Sequence, residues 1–107
     1  MPDINQAVQD LVKAAKKLDD ARKEEDAAEK DEKAKLAAMK KASDDVMKAK
    51  GKEATEAAGR VSHQAFKDWQ DANTRRKKAA VERMIAEKKC REKMKAVQDA
   101  MWKLVWP

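Results

Sequence analysis

Few residues of this 107-residue chain could perform chemistry: it has one histidine, His63, one cysteine, Cys90, and no tyrosine. A metal site or an activated nucleophile needs several such groups at a fixed spacing, and neither residue has a second histidine or cysteine beside it. With only two glycines, the chain also lacks a glycine-rich phosphate loop. We therefore predict no enzymatic activity, no bound metal and no cofactor.

Neighbouring acidic residues are the remaining candidates for acid/base catalysis, at Asp19-Asp20, Glu24-Glu25-Asp26 and Asp44-Asp45. They alternate with lysines in a segment rich in helix-forming residues, which is typical of a solvated helix face. A single cysteine cannot form an intrachain disulfide, which favours a reducing compartment. No apolar leader or membrane span is evident, so we expect a cytoplasmic protein.

Two long helices are the simplest interpretation of the chain. Glycine and proline are absent from residue 3 to residue 50, and Asp3 is a plausible N-cap. Gly51 and Gly59 are stop signals. We predict a single domain over 1–107, with a helix over about 3–50, a turn over about 51–59 and a helix over about 60–105. A break near Ser43 would give a third helix instead.

A seven-residue alanine repeat appears twice and is interrupted once in each helix, each time by lysine. Small residues at one seam position allow two helices to pack closely. We therefore predict an all-α fold: a long antiparallel helical hairpin with an alanine-rich coiled-coil seam. The alanine positions are Ala7, Ala14, Ala21, Ala28, Lys35, Ala42 and Ala49, then Ala58, Ala65, Ala72, Ala79, Ala86, Lys93 and Ala100.

A second heptad series, the layer positions, predicts the register. In an antiparallel hairpin, we pair each layer residue of the first helix with the layer residue of the second whose number brings the sum to 108. Apolar residues then face apolar residues, Glu25 faces Arg83 and Glu32 faces Arg76. Charged layers of this kind fix register at a cost in stability. The layer positions are Ile4, Leu11, Leu18, Glu25, Glu32, Met39 and Val46 in the first helix, and Trp69, Arg76, Arg83, Cys90, Val97 and Leu104 in the second.

Basic residues are concentrated in the second helix, whose half of the chain carries the whole net charge of +6. Ten basic residues and only three glutamates lie between Arg75 and Lys95. This segment is either a solubilising face or a footprint for the backbone of RNA or DNA, and nucleic-acid binding is our alternative function. The ten are Arg75, Arg76, Lys77, Lys78, Arg83, Lys88, Lys89, Arg91, Lys93 and Lys95.

The open end of the hairpin carries more apolar residues than a two-helix seam needs. Tryptophan and methionine are typical anchors of protein interfaces. We predict a non-enzymatic interaction or assembly module that uses this end, either as a homodimer forming a four-helix bundle or within a larger assembly. Contact with a membrane interface is the less favoured reading. The predicted partner-binding residues are Val8, Val12, Met94, Met101, Trp102, Val105 and Trp106.

Overall fold

Two long α-helices make up almost all of the computed structural model, which describes residues 3–106. Helix α1 spans Ile4–Lys48 and helix α2 spans Lys52–Val105, and the two pack against each other as a hairpin. The described residues contain no strand. The predicted all-α hairpin is therefore confirmed, whereas a third helix beginning near Ser43 is not formed, because α1 continues through that residue.

The first turn of α1 is capped as the sequence predicts. Asp3 precedes the helix, and its Oδ1 accepts a hydrogen bond from the backbone N–H of Asn5 at 3.1 Å. Its carbonyl oxygen accepts the backbone N–H of Ala7 at 3.0 Å. Both bonds satisfy groups at a helix start that would otherwise have no partner.

The turn between the helices is shorter than predicted, because α2 begins at Lys52 rather than near residue 60. Among residues 3–106, only Gly51 has a positive φ, of 91°, a conformation that residues with side chains rarely adopt. Its carbonyl accepts bonds from the backbone N–H and the hydroxyl of Thr55, at 3.0 and 2.8 Å. Gly59 lies inside α2, so the prediction that it ends the turn was wrong.

The chain forms two compact units, each built from a segment of α1 and a segment of α2. Unit 1 comprises Met1–Glu25 and Ala79–Pro107, and unit 2 comprises Asp26–Lys78. In both units the buried residues are alanines of the predicted repeat. They are Ala7 and Ala79 in unit 1, and Ala28, Ala42 and Ala72 in unit 2.

The layer positions are half-buried along both helices, with one exception at the end of α2. Leu104 is 67% exposed, so the predicted apolar layer with Ile4 is not closed. Ile4 is the first residue of α1, and no earlier turn of that helix covers Leu104. The lysines that interrupt the alanine positions also differ, because Lys35 is half-buried whereas Lys93 is exposed.

Candidate functional site

A charged layer crosses the seam of unit 1 at the predicted place. The Nε of Arg83 donates a hydrogen bond to Oε2 of Glu25 at 2.5 Å, and its Nη1 donates to Oε1 of Glu87 at 2.8 Å. These hydrogen bonds, that to Glu25 first, raise the pKa of Arg83 above its ordinary value. The pKa of Glu87 is lowered, chiefly by its hydrogen bond from Arg83 and less by the charge of Arg22, 3.7 Å away.

An equivalent layer lies in unit 2. The Nε of Arg76 donates to Oε2 of Glu32 at 2.6 Å, and its Nη2 donates to Oδ1 of Asn73 at 3.3 Å. Only 21% of the Glu32 side chain and 32% of the Arg76 side chain are exposed. Both predicted charge pairs therefore form, and each agrees with the sum-of-108 register within its own unit.

These contacts change how the basic segment can be interpreted. Arg76 and Arg83 are turned into the seam, and Arg75 lies 3.8 Å from Asp31. Three of the ten predicted nucleic-acid contacts thus already have carboxylate partners. The other seven side chains are exposed: Lys77 and Lys78 in unit 2, and Lys88, Lys89, Arg91, Lys93 and Lys95 in unit 1.

All seven predicted partner-binding residues are exposed, lie in unit 1 near the open end of the hairpin, and together define an apolar surface. We call it the Trp patch; the exposed fractions of its side chains run from 42% to 70%. The register places Val8 level with Met101, and Val12 level with Met94. The seven residues are Val8, Val12, Met94, Met101, Trp102, Val105 and Trp106.

The α2 part of the Trp patch is ordered by local contacts. The indole rings of Trp102 and Trp106 stack with centroids 6.4 Å apart and planes inclined by 24°. The backbone N–H of Trp106 donates to the carbonyl of Trp102 at 2.8 Å. Met101, Trp102 and Val105 also line one shallow hollow together with Gln98. Such a surface presents rigid aromatic area and a small depression to a partner.

A groove on another side of unit 1 was not predicted from the sequence. It has a volume of about 420 Å³, and four lysines surround a floor of alanines and Ile85. We call it the lysine groove. Its lining residues are Asp10, Lys13, Ala14, Lys17, Ala21, Glu82, Ile85, Ala86, Lys89 and Lys93. Single-helix patterns gave no signal for it, because its residues converge only when the two helices pair.

The residues considered for chemistry are not brought together. His63 lines a hollow near the turn with Ser43, Ser62 and Phe66, whereas Cys90 is half-buried in unit 1. Within residues 3–106, no group of three histidine, cysteine or acidic side chains could hold a metal ion. Neither α1 nor α2 has a stretch that is long and apolar enough to span a bilayer.

Comparison with known proteins gave no relative: no family model, no curated protein and no solved structure matches this chain. The function must therefore be argued from the two surfaces of unit 1 and from the charged layers.

Proposed function

We propose that the protein is a non-enzymatic assembly module of the cytoplasm, which dimerises through the Trp patch. The hairpin supplies a coiled-coil scaffold, and two copies form a four-helix bundle at their open ends. The observation that carries the proposal is the exposure of seven apolar side chains at one end of a small, highly charged chain.

The size of the Trp patch fits a partner of ordinary dimensions. We take the full surface of a tryptophan as about 250 Å², scale the surfaces of valine and methionine by size, and multiply each by its exposed fraction. The seven residues then expose about 800 Å² in total. A standard interface buries about 800 Å² on each partner. Soluble monomers rarely expose this much apolar surface in one region of a chain.

The absence of charge within the Trp patch is compatible with a second copy as the occupant. In a two-fold interface the same patch faces itself, so any charged group near the axis would meet its own copy. All seven residues of the Trp patch are uncharged. The chain can therefore self-associate there despite a net charge of +6.

The test is the mass in solution, measured by light scattering from low to high micromolar concentration. The wild type should approach twice 12.1 kDa. Trp102→Ser with Trp106→Ser should return it to the monomer with unchanged helicity, since both side chains lie outside the seam. The matched control, Met47→Ser with Val61→Ser, removes two side chains that are 85% and 61% exposed elsewhere and should leave the dimer intact.

A wild type of 12.1 kDa at high micromolar concentration would rule out the homodimer. An equal loss of mass in the control would show that general surface hydrophobicity, and not the Trp patch, drives association.

Nucleic-acid binding is the alternative function, supported by the eight exposed basic residues of the segment from Arg75 to Lys95, of which Arg75 lies 3.8 Å from Asp31. Phosphate contacts make affinity fall steeply with salt, with a logarithmic slope of about −0.9 for each neutralised phosphate on duplex DNA. The assembly proposal predicts only weak binding, lost near physiological salt. Submicromolar binding that persists there and is abolished by Lys77→Glu with Lys78→Glu would replace the primary function. Those two residues are chosen because reversing Arg76 would also break the seam.

A further inference from the structure

The two lysines that interrupt the alanine repeat have opposite surroundings. In unit 2, Lys35 lines a hollow with Arg75 and three aspartates, Asp31, Asp68 and Asp71, so the charged groups there have a net charge of −1. Lys35 thus sits among carboxylates that compensate its charge.

In unit 1, Lys93 lies in the lysine groove, where the carboxylates are outnumbered by lysines. Four lysines and two carboxylates line the groove and give it a net charge of +2. The carboxylates, Asp10 and Glu82, lie at the two ends of the lining. Between them, the antiparallel register brings Lys13 and Lys17 of α1 level with Lys93 and Lys89 of α2.

This arrangement places like charges close together at the surface, which is slightly unfavourable until an anion is bound. Lys13 and Lys17 are four residues apart, as are Lys89 and Lys93, and like charges at this spacing destabilise a helix. The two pairs then face the same groove, which adds repulsion between the helices. An anion among the four ammonium groups would reduce the repulsion within each helix and the repulsion between the helices.

The floor of the lysine groove is apolar. Ala21, Ala86 and Ile85 continue it beyond the four lysines, and the aliphatic stems of the lysines add further apolar surface. The volume of about 420 Å³ lies within the range of small-molecule sites. The lining spans eleven residue steps of each helix, roughly 16 Å, and about half of that length lies beyond the centre of the four lysines, where it can hold the proximal half of an extended alkyl chain.

We infer that the lysine groove binds a single-chain anionic amphiphile of the fatty-acid class. The carboxylate lies among Lys13, Lys17, Lys89 and Lys93, and the alkyl chain lies along the floor towards Ile85. This site is separate from the Trp patch and does not depend on dimerisation.

The test is calorimetric titration of the full chain with laurate below its micelle concentration. Saturable binding at micromolar concentration is expected. Lys17→Glu with Lys89→Glu should weaken it at least tenfold. The matched control, Lys16→Glu with Lys88→Glu, makes the same change of net charge on the adjacent residues outside the groove and should bind within twofold of the wild type. Circular dichroism checks that both variants remain helical.

A second pair of variants tests the floor. Ile85→Ser should weaken laurate binding about fivefold or more, whereas Val81→Ser, which removes a side chain of similar exposure outside the groove, should leave it unchanged. Dodecyltrimethylammonium, with the same chain and the opposite charge, should not bind.

Three outcomes would overturn the inference. They are equal laurate affinity in Lys17→Glu/Lys89→Glu and its control, loss of laurate binding in Trp102→Ser/Trp106→Ser, and binding to anionic phospholipid vesicles without any binding of monomeric laurate. The second would locate the alkyl chain on the Trp patch, and the third would indicate a membrane surface instead. Light scattering on the same samples decides the dimer separately.

Discussion

The charged layer formed by Glu32 and Arg76 should contribute measurably to stability, and a double-mutant cycle can isolate its energy. Fully exposed ion pairs give about 0.2–1 kcal/mol, whereas hydrogen bonds to charged groups contribute about 1.5–3 kcal/mol. This pair has a 2.6 Å hydrogen bond and side chains that are less than one third exposed. We therefore expect a coupling energy of about 1–2 kcal/mol.

The cycle consists of Glu32→Ala, Arg76→Ala and the double variant, unfolded in urea at one fixed protein concentration because dimerisation would shift stability. Helicity follows the transition. With a denaturant slope of about 1.5 kcal/mol/M, a coupling of about 1.5 kcal/mol corresponds to a midpoint difference of about 1 M. That difference is well above the error of the method.

The control pairs Glu32→Ala with Lys77→Ala, which removes the basic residue next to Arg76. Lys77 is exposed to solvent and should show additive effects with Glu32. A Glu32–Arg76 coupling below about 0.3 kcal/mol, or one no larger than that of the control, would refute the argument that charged layers set the register.

Two further predictions follow from the seam and from Glu87. In a Cys90→Ser background, cysteines placed at Ala21 and Ala86 in unit 1, or at Ala42 and Ala65 in unit 2, should oxidise to intrachain disulfides at high dilution. A disulfide needs the two Cβ atoms about 3.8 Å apart, and paired alanine positions of a close seam meet that requirement. If non-reducing gels show only interchain crosslinks, the hairpin is contradicted. Because the folded state lowers the pKa of Glu87, its stabilising contribution is present above the ordinary value of 4.5 and is lost as pH falls through the lowered pKa. Urea midpoints measured from pH 6 to pH 3 should therefore fall less steeply in Glu87→Gln than in the wild type, and identical pH profiles would exclude this role.

The fold could be predicted because the sequence indicates the helices by long runs free of glycine and proline, and their register by the seven-residue repeats. Glu25 and Arg83, like Glu32 and Arg76, were matched by number alone, since an antiparallel pair of regular helices has one free parameter along the seam. The residues at which each helix begins and ends depend on small local free-energy differences that the seven-residue repeats do not specify. Gly59 costs a helix roughly 1 kcal/mol, and here α2 continues through it.

The candidate sites were predictable to different degrees. The residues of the Trp patch were identified because exposed apolar side chains in excess of a seam are visible on each helix separately. The basic segment was counted to include Arg76 and Arg83, although the layer positions already paired both with glutamates of the other helix, and the structure forms those pairs. The lysine groove was missed because Lys17 and Lys89 become neighbours only through pairing.

The two sides of unit 1 differ in a way that the hairpin itself does not require. Residues four beyond the layer positions flank one side of the seam, and in unit 1 they include Val8, Ala15, Arg22, Glu87, Met94 and Met101, so this side is apolar towards the open end. Residues three beyond the alanine positions flank the other side and include Asp10, Lys17, Glu82 and Lys89, most of the lysine groove's charges. A two-helix seam needs only two positions in each heptad, so the hairpin itself does not use this apolar side, which supports the proposal that another helical surface covers it. The charged side can remain exposed to water, and its lysine groove is the site that we infer for a small ligand.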